Sequence, residues 1–263
     1  MDQLVSLLLG GTGLDMSGLL VLCGASFLGS FLTASMGIGG GMLMLATMAQ
    51  ILPPFVLIPI HGVVQLGSNV GRAALMRSHI LTSIIPAFLT GTLLGAAVGA
   101  KLVITLPGAL LEAILGLFVL YATWAPKFTA SQPGKPTFFA VGIAATIATM
   151  FVGATGPLIA PFVNAACPKR QQVVATHATL MTIQHGFKIV AFGTLGFAFG
   201  PYVPFLVSLI AFGFAGTWCG KHMLLRLPER FFRTGLKIIL TVLACRLLYG
   251  AIGSYISART SGI

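Results

Sequence analysis

From Gly18 to Gly71 the chain runs 54 residues without a single Asp, Glu, Lys or Arg. No soluble domain keeps such a run in water, and apolar stretches of about the 20 residues needed to cross a bilayer recur to the C-terminus. Across all 263 residues only 7% are charged and 57% are hydrophobic, so the membrane is the solvent for the whole chain and not for one anchor. Helices satisfy their own backbone in lipid, which makes an all-α polytopic membrane protein the expected fold class. The amino terminus, MDQLVSLLLGG, has no basic leader before its apolar core and reads as retained.

A net charge of +11 would suit nucleic acid if the basic residues formed one stripe. They are spread over short loops instead, so the expected partner is the lipid bilayer, with no nucleic acid. Cys23, Cys167, Cys219 and Cys245 lie apart in apolar surroundings, without the paired spacing of a disulfide framework or a metal site. Asp2, Asp15, Glu112 and Glu229 are the complete acidic set, which argues against a cation site built from carboxylates. No Ser–His–Asp arrangement has an interior acid, and no phosphate loop ends in Lys-Ser or Lys-Thr. Neither an enzyme nor a cofactor is therefore expected.

The chain repeats itself. An offset of 116 places Gly37 on Gly153, Gly40 on Gly156, His61 on His177, Asn69 on His185 and Arg72 on Lys188. Further on, an offset of 121 places Gly95, Gly99, Leu106 and Pro107 on Gly216, Gly220, Leu227 and Pro228. Residues 1–125 then form a first repeat, 126–136 a polar, proline-bounded linker and 137–263 a second repeat. Each repeat holds a long stretch broken by glycine and three ordinary spans: 17–52, 56–76, 81–104 and 108–125, then 137–166, 172–199, 203–225 and 232–256.

As one helix, 17–52 would be roughly 54 Å long against a hydrocarbon core of about 30 Å. It must break or fold back. A single crossing gives parallel repeats with no charge bias. A stretch that enters and returns gives inverted repeats, and eleven basic residues then share one side against four on the other. Arg77, Lys127, Lys135, Lys169 and Arg230 are among the eleven, and Lys101, Lys188, Arg246 and Arg259 are the four. The expectation is two inverted-topology repeats, each a broken or re-entrant Gly-rich segment followed by three transmembrane helices, with both termini outside the cytoplasm.

His61, Gln65, Asn69 and Arg72 are spaced by four, four and three, so they form one stripe on a helix. His177, Gln184, His185 and Lys188 share a face of its counterpart. Polar groups are costly in lipid, so both stripes face the protein interior, either around a substrate path or as helix-to-helix hydrogen bonds. Arg72 and Lys188 have a second reading, as side chains reaching for headgroups. The histidines are candidates for proton coupling because imidazole titrates near neutral pH.

The glycine breaks, Gly37, Gly39, Gly40 and Gly41 with Gly153, Thr155, Gly156 and Pro157, start helices inside the membrane, where free N–H groups favour anions. Thr33 and Ser35 add hydroxyls there. For Gly95, Gly99, Gly216 and Gly220 the GxxxG spacing favours close helix packing.

The segment GIGGGMLMLATMAQILPP, its echo GATGPLIAPFV and the duplicated layout resemble the TauE/SafE family, also grouped as toluene-sulfonate uptake permeases. Its glycine motif maps to Gly37, Gly39, Gly40 and Gly41 and, more weakly, to Gly153, Gly156 and Pro157. The second copy keeps a proline at Pro161 where the first has Leu45. The resemblance implies a secondary transporter of the bacterial inner membrane, an exporter of small anions such as sulfite, sulfoacetate or other organosulfonates. An anion channel and a carrier of non-sulfur organic anions are the alternatives.

Overall fold

The computed structural model describes residues 9, 12–37, 39–103, 107–125, 132–224 and 229–260, the side chains of 103, 229–233 and 257–260 excepted. Lys127, Arg226, Leu106, Leu227, Pro228 and most of the linker lie outside the described residues, as do the side chains of Arg230, Arg233 and Arg259. Ten α-helices are described: α1 Met16–Met36, α2 Gly40–Met48, α3 Pro54–Leu75, α4 Ile85–Val103, α5 Gly108–Trp124, α6 Lys135–Val152, α7 Gly156–Ala166, α8 Arg170–Thr194, α9 Val203–Met223 and α10 Glu229–Thr260. The long stretches expected over 17–52 and 137–166 are each two helices, α1 with α2 and α6 with α7.

Local chemistry sets the boundaries. Asp15 caps α1 by accepting the Gly18 N–H at 2.8 Å. The Ser17 hydroxyl and that N–H hold its carboxyl below the usual carboxylate range. Proline occupies the first turn of α3, α6, α7 and α9, where its missing N–H costs nothing. Gly37 ends α1 at φ 98° and Gly153 ends α6 at φ 73°, left-handed backbone that suits glycine.

The halves are interleaved. α1 lies along α9, where Gly213 faces Ser26, Gly216 faces Phe27 and Gly220 faces Phe31, all in the same chain direction. α4 lies along α6 in the same way, and a Cβ on Gly95 would stand 2.6 Å from the Ile143 carbonyl oxygen. The GxxxG pairs are thus close-packing surfaces, each joining one half to the other. α5 runs beside α10, with Gly116 against Leu248 and Trp124 Nε1 donating to Thr241 Oγ1 at 2.9 Å.

The segments Met16–Met36, Thr82–Leu102, Lys135–Val152, Gly200–Met223 and Thr234–Ile256 are long and apolar enough to cross a membrane. Tyr121, Trp124 and Trp218 point outward near helix ends, as side chains do at a membrane–water interface. α3 and α8 are missing from that set because polar residues interrupt them. They pack on each other in the interior, antiparallel, with Gly62 against the Lys188 side chain.

One end of the bundle gathers the C-terminal ends of α1 and α3 with the start of α8. Arg170 Nη2 donates to the Ser35 carbonyl at 2.7 Å, and Leu81 N–H donates to Thr176 Oγ1 at 2.9 Å. Arg72 is 2% exposed and Lys188 0%. Neither reaches a headgroup, because each lies on the inward stripe of its helix. They therefore drop out of the count of loop charges.

Candidate functional site

Both chain breaks lie inside the bundle. In the first half Gly37 and Gly39, at φ 98° and 108°, turn the chain so that Gly40 lies against Gly29, eleven residues back in α1. Thr33 locks the turn, its hydroxyl donating to the Gly29 carbonyl at 2.9 Å and accepting the Gly40 N–H at 3.1 Å. The segment is thus a hairpin of unequal arms. Ser35 spends its hydroxyl on the Phe31 carbonyl at 2.8 Å. In the second half the Gly153 carbonyl accepts from Thr149 Oγ1 at 3.1 Å and from Lys188 Nζ at 2.9 Å.

Between the breaks is a cavity of about 30 Å³, room for about two water molecules or one small oxyanion. Gly39, Gly41 and Met42 form part of its wall together with Thr33. α3 adds His61, Gln65 and Asn69, spaced by four. Opposite stand Ala154, Gly156 and Pro157, and α8 adds His177, Met181 and His185, again spaced by four. Gly41 and Gly156 lie in the first turns of α2 and α7, where backbone N–H groups have no acceptor within the helix.

The histidines are held alike. His61 Nε2 is 3.1 Å from the Gly41 carbonyl oxygen, and His177 Nε2 is 3.1 Å from that of Gly156. A carbonyl only accepts, so Nε2 carries the hydrogen in both rings. Nδ1 of His61, His177 and His185 is buried without a hydrogen-bond partner. The His61 and His185 rings meet edge to face, 6.0 Å between centroids.

Other polar residues from the sequence lie behind the wall. Arg72 donates to Asn69 Oδ1 at 2.9 Å and to Ser68 Oγ at 3.0 Å, staying on its own helix. Asn69 in turn donates to the Gln65 carbonyl at 2.7 Å. Gln184 accepts from Thr155 Oγ1 at 2.8 Å and donates to Thr146 Oγ1 at 3.3 Å, tying α6, α7 and α8 together away from the cavity. Gly37, Gly40 and Gly153 shape the breaks without lining the cavity, and Lys188 stands behind Gly153.

Met42, Ala154 and Met181 line the cavity without having been singled out. Met181 was within reach, because it lies 116 residues after Gln65. Met42 and Ala154 carry no polar signal.

The arrangement offers amide and N–H donors, imidazole nitrogens and two buried cations standing back from the wall. Among the described residues no carboxylate lines it. Such a lining suits a small anion, whose hydration shell the amides replace. Neither the curated proteins nor the solved structures give a match to this chain. A family model described as Sulfite exporter TauE/SafE matches residues 22–247, from within α1 to within α10. On that match over most of its length, the protein is a multi-pass membrane protein that belongs to the TauE/SafE family of sulfite exporters.

Proposed function

We propose that the protein is a secondary transporter that carries small sulfur-containing anions, such as sulfite, by alternating access at the central cavity. The single observation behind this reading is the cavity itself: two chain breaks and two matched stripes converge on one small, carboxylate-free space inside the bundle. The halves act as inverted-topology repeats. Support comes from the exchange of helices between them and from α2 turning back on α1, which gives each half an odd number of crossings. The basic loops then face the cytoplasm of a bacterial inner membrane and both termini face outward.

Proteoliposome counterflow tests the reading with sulfite, sulfoacetate, taurine, sulfate and chloride. Saturable exchange competed by a sulfur oxyanion is expected. Flux that never saturates identifies a channel, and no flux with any sulfur anion rejects the assignment. Labelling of single cysteines placed at Lys127 and Arg230 is expected from the cytoplasmic face for both. Opposite faces would remove the inverted repeat.

A further inference from the structure

We propose that the cavity binds its oxyanion together with one proton. Its preferred ligand is then the anion of a weak acid that still carries a hydroxyl near neutral pH, such as hydrogen sulfite, and not a fully ionised sulfonate or sulfate. The inference deepens the transporter reading and rests on it.

Three observations carry it. First, the Gly41 and Gly156 carbonyls place a hydrogen of His61 and His177 on Nε2, so the lone pair of each neutral ring is on Nδ1. Among the described residues those Nδ1 atoms have no hydrogen-bond partner; they are buried in rings that line the cavity, that of His61 beside the Gly153 backbone. A bare oxyanion offers them only negative oxygens, whereas a ligand hydroxyl donates to one of them and so satisfies that nitrogen and its own hydrogen.

Second, no cation lines the space, since Arg72 is engaged with Asn69 and Ser68 and Lys188 with Gly153. The donors that remain are neutral, namely the Gln65 amide and the backbone N–H groups of the first helical turns. Neutral donors suit one negative charge better than two.

Third, the cavity has room for a small inorganic oxyanion and not for an organic tail. Around His61 stand Lys188 and His185 of α8 and the Gly153 backbone, and around His177 stands Arg72 of α3. In the bound state the proton is shared between a ligand oxygen and Nδ1. No covalent bond other than O–H or N–H is involved.

Isothermal calorimetry of the detergent-purified protein, in two buffers of different ionisation enthalpy, tests this with sulfite, sulfate and methanesulfonate. At about pH 8, where sulfite is mostly dianion, binding is expected to take up about one proton per site, falling toward none at about pH 6. Methanesulfonate, a permanent monoanion without a hydroxyl, is expected to bind at least roughly tenfold more weakly at both values. Sulfite binding without proton uptake at the higher pH overturns the proposal, and so does methanesulfonate binding as tightly as sulfite.

The double variant His61→Leu/His177→Leu removes both Nδ1 acceptors and puts no other acceptor in their place. If its melt is wild-type and its proton uptake unchanged, the assignment to these rings fails. Should no anion bind at all, the transporter reading falls with the proposal, a result distinct from binding without a proton.

Discussion

The two glycine breaks occupy equivalent places in the chain and are held by different means. The first is closed by its own preceding helix, Gly40 lying against Gly29 with Thr33 as the clasp. The second is held by Thr149 of its preceding helix and, from across the bundle, by Lys188 of α8, both on the Gly153 carbonyl, while a Cβ on Gly156 would meet His177 at 3.3 Å and Met181 Sδ at 3.7 Å. One break is built into a backbone contact. The other rests on two side-chain hydrogen bonds, one of them from across the bundle. On the proposed transport reading, the second break is expected to be the moving part and the first the frame it moves against.

The largest effect that would sharpen this contrast is on stability. Gly40→Ala drives a Cβ into the Gly29 carbonyl and is expected to cost about 3 kcal/mol, whereas Gly156→Ala should stay within about 1 kcal/mol of wild type. Thermal melts of the two purified variants check it, and equal losses would erase the distinction. Next comes transport. Lys188→Met removes the cross-bundle donor to the Gly153 carbonyl, leaving Thr149 on it, and is expected to slow exchange roughly tenfold with the protein still folded. Arg72→Met, whose bonds stay on α3, should slow it less than about threefold. The reverse ranking in proteoliposomes would move the mobile element to the first half.

How far the sequence revealed this contrast depends on the residue. The offset of 116 aligned His61 with His177 and both glycine runs, and the structure gives those histidines the same glycine-carbonyl bond. It is a register signal, and register survives because helix periodicity turns spacing into position. Gln184 entered the second stripe by its face and its chemistry, whereas the register partner of Gln65 is Met181, which lines the cavity while Gln184 does not.

The hairpin was beyond reach for another reason. A glycine run says that a helix ends, but which way the next one goes was decided by Gly29, well upstream and unremarkable in sequence, and by Thr33, whose hydroxyl clasps the turn. Arg72 and Lys188 read equally well as headgroup seekers, since only packing tells which side of a helix faces lipid.

That mismatch gives the smaller tests. Gln65→Leu should weaken sulfite binding about tenfold with an unchanged melt. Gln184→Leu should lower stability by about 1 to 3 kcal/mol, by stranding the Thr155 and Thr146 hydroxyls, with affinity intact. Binding and melting measured on the same samples separate the two roles, and parallel losses in both would return Gln184 to the site. Smallest of all, Met181→Gln gives the second half the amide of the first and is expected to tighten binding about threefold. No gain would show that the ligand sits on the α3 side alone.

The lying of α1 along α9 has a consequence for how the chain is made. α9 begins about 170 residues after α1 ends, and at ribosomal speed that gap takes on the order of ten seconds. Throughout that time α1 sits in the bilayer with its Ser26 face bare, while Ser30 is already paired with Ser68 of α3. A nascent chain released before Val203 leaves that face without the glycines meant to cover it, and so presents quality control with a bare hydroxyl in lipid.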